Sequence, residues 1–172
     1  MALATAGETA RKPDQIVGTL ERMRGYRLED LSIGQAAELI RIVAGDDLDA
    51  FAAVTGDDNP LHLDEAFAAA TAFGGRIAHG MLLAGYISAV LGARLPGAGA
   101  IYISQNLRFR RPVRIGDEVT ARVEVSTIDH DRGRVSLATT CRVAGKIVVE
   151  GEAQVMVQRR AAKDDPPGSS EA

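Results

Sequence analysis

Apolar and polar residues alternate with a period of two through most of the second half of the chain. From 100 to 111, Ile101, Ile103, Leu107 and Phe109 are apolar while Asn106, Arg108 and Arg110 are polar. From 118 to 127, Val119, Ala121, Val123 and Val125 alternate with charged and hydroxyl residues. The same holds for Val135, Leu137, Cys141 and Val143 in 134–143, and for Ile147, Val149, Ala153, Val155 and Val157 in 146–158. Such a period predicts four strands, each with one face in a core. Gly116-Asp117, Asp131-Arg132-Gly133 and Ala144-Gly145 supply turn residues between them, so the strands should run antiparallel.

The first half reads differently. One candidate strand covers about 37–43. Asp46 or Asp47 is placed to cap a helix over 48–54, and Asp64-Glu65 to open a short helix through Ala72. Between these helices the Gly56, Asn59 and Pro60 run predicts a turn. The segment 79–91 is apolar on nearly every face, the signature of a buried helix, with Gly92 and Pro96 near its end. A long buried helix followed by an antiparallel sheet implies an α+β layer architecture with one core.

Composition narrows the class. The 172 residues suit one domain and are 46% hydrophobic with no Trp, so the core should be aliphatic. A net charge of −3 lacks the basic excess of nucleic-acid binders. No apolar run approaches the roughly 18 residues of a spanning helix, and the first dozen residues have no signal-like apolar stretch, so a cytoplasmic protein is expected. The lone Cys141 sits at a core position of a strand, away from any metal-site pattern. Residues 1–25 are expected to form a flexible extension, 26–159 one domain, and 160–172 a disordered polar tail.

Three features could carry chemistry. Asp57 and His62 flank the stiff Asn59-Pro60 turn, where a carboxylate and an imidazole can be aimed at one point as an acid/base pair. Taken alone, Asp57 and Asp58 read more readily as caps or as part of a solvated turn, with His62 on the surface. His79-Gly80 opens the apolar helix, whose free N–H groups and absent Gly80 side chain suit an oxyanion hole. The alternative is that His79 is only a cap and Gly80 only permits close packing. Ser88 is one of the few polar residues of that helix, and a bond back to its own backbone is the ordinary use of such a serine.

Together, Gly56-Asp57-x-Asn59-Pro60-Leu61-His62-x-Asp64 and Ile77-Ala78-His79-Gly80-Met81-Leu82 resemble the MaoC-like (R)-specific enoyl-CoA hydratases. The likeness extends through Leu95-Pro96-Gly97 and Ile115-Gly116-Asp117-Glu118-Val119 and covers about 50–157. It implies a single hotdog fold, a long central helix wrapped by a curved antiparallel sheet. It implies Asp57 and His62 as the catalytic pair and Gly80 N–H as the donor to the thioester oxygen. Ser88 matches the family's active-site serine, Asn59 shapes the loop, and His79 accompanies Gly80 in binding. The implied reaction adds water to a trans-2-enoyl-CoA to give the (R)-3-hydroxyacyl-CoA. No metal or cofactor is expected beyond the coenzyme A of the substrate. The partners expected are a homodimer or higher homo-oligomer, with no nucleic acid and no membrane. Arg108, Arg110, Arg111 and Arg114 are candidates for the CoA phosphates, or ordinary solvated strand positions. The same motif allows dehydration of a carrier-protein-bound or branched dicarboxyl thioester. A thioesterase would place its acidic residues differently, and a non-catalytic thioester-binding subunit would not need the Asp57/His62 pair.

Overall fold

A computed structural model describes residues 25–160; the expected N-terminal extension and C-terminal tail lie almost wholly outside them. Strand β1 spans Ala36–Ile42, and β2 to β5 span Ile101–Phe109, Glu118–Asp129, Arg134–Val143 and Lys146–Met156. Helices α1 (Gly45–Thr55), α2 (Pro60–Leu63), α3 (Glu65–Ala69) and α4 (Gly80–Ala93) lie between β1 and β2. All strand pairs are antiparallel, in the order β1-β3-β4-β5-β2.

The period-two positions explain the core. Val119, Ala121, Val123 and Val125 of β3, Val135, Leu137 and Cys141 of β4, and Val149, Ala153 and Val155 of β5 are all buried. They meet Leu83, Ile87, Val90 and Leu91 of α4, forming one apolar cluster between sheet and helix. This is the α+β hotdog arrangement.

Several local expectations need correction. The helix α1 starts at Gly45; its capping residue is Ala44, and Asp47 contributes by accepting the Ala44 N–H at 2.9 Å. The expected turn contains one helical turn, α2, because Asn59 Oδ1 accepts the Leu61 N–H at 3.1 Å and Pro60 suits the first helical position. Helix α3 stops at Ala69 instead of Ala72, after its cap Asp64 accepts the Phe67 N–H at 2.9 Å. Helix α4 is not buried all round: Met81, Gly85 and Ser88 are exposed, since a single sheet covers only one of its faces. Gly92 lies inside it, and the chain leaves the helix at Arg94.

Strand β2 departs most. It pairs with β5 at the edge of the sheet, not with β3, so Gly116-Asp117 does not close a hairpin between neighbours. Its register shifts between Tyr102 and Ser104, an irregularity that reverses the parity of the strand. Tyr102 therefore lies opposite the buried Val155, and Ile101 and Ile103 are exposed instead of inward.

Candidate active site

Helices α1 and α2 present Asp57 and His62 to the N-terminus of α4. Residue Gly56 ends α1 in the left-handed conformation (φ 79°), which turns the chain towards Asp57. The one-turn α2 then carries His62. Its backbone is held from outside: Arg76 Nε donates to the His62 carbonyl at 2.5 Å, and Arg76 Nη2 reaches Asp49 Oδ1 on α1 at 3.0 Å. No spacing rule pointed to Arg76, because its partners are distant in sequence.

The imidazole of His62 is oriented by a main-chain bond. Its Nδ1 lies 2.7 Å from the Ile77 carbonyl oxygen. A carbonyl only accepts, so Nδ1 carries the hydrogen and Nε2 is the site left for proton exchange. Against this ring lies His79, with centroids 3.8 Å apart and planes tilted by 32°. Residue His79 is only 1% exposed; its Nε2 lies 3.0 Å from the Asp57 carbonyl oxygen and Phe51 packs on it at 4.8 Å. The His79 ring is thus beneath the site and does not line its cavity.

That cavity, about 480 Å³, is lined by Asp57, His62, Ile77, Gly80, Met81 and Phe109, among others, with Arg110 and Arg111 at the same walls. The Gly80 N–H belongs to the first turn of α4, where N–H groups have no helical partner. The absence of a side chain there has a packing reason too. A Cβ on Gly80 would stand 2.8 Å from Cε1 of Phe109. A second cavity of about 540 Å³ shares Asp57 and Met81 and adds Ser88, Phe51, Tyr102 and Gln105. So Asp57, His62 and Gly80 are brought to one cavity, Ser88 lies in the adjoining one, and Asn59 stays in the loop as the cap of α2. Tyr102 reaches the second cavity because the β2 irregularity puts it on the face of Gln105, Leu107 and Phe109, which no alternation pattern could indicate.

Chemically, Asp57 and His62 are a carboxylate and an imidazole of the kind that can exchange protons. One side-chain oxygen or nitrogen from each of Asp57, His62 and His79 lies within 4.8 Å of the others. Two of the imidazole nitrogens are committed to carbonyls, and the rings overlap instead of fanning around a point. This geometry suits an acid/base pair of Asp57 and His62 better than a zinc tetrahedron. Of the arginines, Arg110 is paired with Glu150 at 2.8 Å through Nε, Arg111 bonds the Ile147 carbonyl at 2.5 Å, and Arg114 bonds the Phe73 carbonyl.

The comparisons agree on one family. The MaoC-like domain model matches residues 32–147. The chain is 54% identical over 135 residues to an (R)-specific enoyl-CoA hydratase of Rhodospirillum rubrum, covering 78% of this chain and 94% of that one. It is 51% identical over 145 residues to a 3-hydroxybutyryl-CoA dehydratase of Methylorubrum extorquens, covering 84% and 92%. Among solved structures, the unliganded R-hydratase PhaJ1 of Pseudomonas aeruginosa superposes with a TM-score of 0.75 at 44% identity, covering 86% of this chain and 97% of that one. With its helix-on-sheet architecture and the motif residues gathered at the start of α4, the chain belongs to the MaoC-like dehydratase family.

Proposed function

We propose that the chain is an (R)-specific enoyl-CoA hydratase in which Asp57 and His62 handle the protons and Gly80 N–H holds the thioester oxygen. It is a hydro-lyase, and its reaction is reversible: hydration of a trans-2-enoyl-CoA, or dehydration of the (R)-3-hydroxyacyl-CoA. The observation that supports the assignment of roles is that Asp57, His62 and Gly80 line one cavity, with the Nδ1 of His62 already committed to the Ile77 carbonyl.

Water is a weak nucleophile, so a base must take its proton as it attacks C3. In this scheme Asp57 takes that proton while the C2=C3 electrons move onto the thioester oxygen. Gly80 N–H stabilises the resulting enolate at the positive end of α4. The His62 imidazolium then delivers its Nε2 proton to C2, and the proton on Asp57 returns to His62. The proton passes between the two groups within one turnover, so the labels base and acid belong to the pair. No cofactor beyond the CoA of the substrate is used.

The second cavity, which shares Asp57 and Met81 with the first, is proposed to take the acyl chain past Ser88. Arg110 and Arg111 are proposed to meet CoA phosphates at the first. The exposed side of α4 and the apolar edge strand β2, with Ile101, Ile103 and Phe109 exposed, support a homodimer. No helix among the described residues is long and apolar enough to cross a membrane; a cytoplasmic location is part of this proposal, as is a single domain over 26–159.

The deciding assay is hydration of crotonyl-CoA followed by the loss of enoyl absorbance, coupled in parallel to (R)- and (S)-specific 3-hydroxyacyl-CoA dehydrogenases. Signal in the (R) channel alone is expected. Turnover only of carrier-protein or branched dicarboxyl thioesters would move the substrate class within the family. Signal in the (S) channel would overturn the stereochemical assignment.

A further inference from the structure

We infer that His79 is a positioning residue that sets the place of both catalytic groups from beneath, an inference that rests on the hydratase reading above. Its geometry is unlike that of a residue meant to touch substrate. The ring is 1% exposed, and the cavity that holds Asp57, His62 and Gly80 does not include it.

Consider how Asp57 is held. Within 56–59, the described main-chain bonds are local. Gly56 N–H donates to the Ala52 carbonyl at 2.8 Å and Asp58 N–H to the Gly56 carbonyl at 3.1 Å. Asp57 N–H donates to Thr55 Oγ1 at 3.2 Å. Among the described residues, the hydrogen bond that ties this stretch to a distant part of the chain is His79 Nε2–H to the Asp57 carbonyl, 22 residues away. A carbonyl cannot donate, so Nε2 carries the hydrogen, and a second hydrogen on Nδ1 would put an unpaired charged donor in the interior. That Nδ1 is buried and has no hydrogen-bond partner among the described residues. An unpaired buried polar atom costs stability, and an aliphatic residue at this position would avoid the cost. The imidazole therefore has a use that outweighs it: a rigid N–H donor on a flat ring.

The same ring supports the second group. It packs on the His62 ring at 3.8 Å and is backed by Phe51 at 4.8 Å. A neutral His79 face next to His62 leaves room for charge on His62 when it carries the proton, whereas a second cation at that distance would oppose it. Finally, His79 occupies the N-cap position of α4, without a capping side-chain bond, and is joined directly to Gly80, so the donor to the thioester oxygen moves with it. One buried side chain thus refers the carboxylate, the imidazole and the oxyanion donor to a common position.

The test uses the full chain and steady-state kinetics on crotonyl-CoA. His79→Phe keeps a flat ring between Phe51 and His62 but removes the donor; His79→Gln keeps an N–H near the position of Nε2 but removes the ring. His79→Phe should lower kcat by about 10-fold to 10²-fold, the scale of an ångström-size misplacement, with KM changed less than about twofold. His79→Gln should recover part of that loss. In an Asp57→Asn background the Phe substitution should cost less than about a further twofold, because the tether then holds a group that no longer works. Wild-type kcat in folded His79→Phe, or the same loss in both backgrounds, would overturn the inference. If His79→Phe does not fold, ¹⁵N-histidine NMR of the wild type decides: a neutral Nε2–H form over the pH range of activity supports it, and a doubly protonated ring there sinks it. Activity surviving Asp57→Asn would instead defeat the catalytic assignment itself, a separate outcome.

Discussion

At the scale of single residues, the site depends on groups whose exchangeable positions are decided by main-chain bonds. The Ile77 carbonyl leaves His62 with Nε2 for proton exchange, and the Asn59 cap holds the turn that carries it. Asp57→Asn and His62→Gln are each expected to fold and to lower kcat by at least about 10², the lower range for acid/base groups. Thermal melts alongside kinetics check both parts, and near-normal activity in either variant would remove it from the pair. Gly80→Ala would set a Cβ against the Phe109 ring at 2.8 Å, and that half-exposed ring can swing. The variant should therefore fold with a shifted Phe109 and a reduced kcat, and Gly80→Ala/Phe109→Leu should regain activity relative to it. Cys141 is a quieter case. Burial pushes its thiol from 9.0 up to about 12. A raised thiol pKa favours the folded state fully below the unfolded value, and that contribution is lost as pH rises from about 9 to about 12. Ellman's reagent should leave Cys141 untouched in the native protein at pH 8 and react once it unfolds.

At the scale of elements, α4 has one face in the core and one face open, and substitutions should separate them. Ile87 is fully buried, so Ile87→Ala should cost about 2–5 kcal/mol by urea unfolding. The short α2 cannot stand by itself, since helices of one turn lack the length to be stable. Arg76 ties it to α1 through Asp49. Arg76→Ala should reduce kcat through looser placement of His62 while changing the melting temperature little more than a surface substitution does; unchanged kcat would show that α2 holds its place without it. Strand β2 shows the limit of pattern reading. Ile101, Ile103, Leu107 and Phe109 look like one face, but the register shift after Tyr102 puts Tyr102, Gln105, Leu107 and Phe109 opposite core-facing residues of β5. One irregular residue changes which side chains meet the second cavity.

At the scale of the whole molecule, the single apolar cluster joins every strand of the sheet's middle to α4. The open face of α4 and the edge of β2 are where a second copy would pack. Sedimentation at micromolar concentration should report a homodimer or larger, and a monomer with full activity would contradict that proposal. Removing 161–172 should leave activity unchanged, because the site is built within 51–113; a large loss would bring the tail into it.

Much of this was determined locally, and so was legible in the chain. The alternating valines of β3 and β4, the apolar run of α4 and the Asp57-to-His62 string each depend on neighbours within a few residues, where period, capping and proline geometry act. Strand order, the inward turn of Tyr102, and the Arg76 and His79 contacts were decided only by tertiary structure. Each brings together groups far apart in sequence, such as His79 and Asp57, and the choice among such pairings is made by packing and by the satisfaction of buried polar atoms. No local pattern encodes those terms.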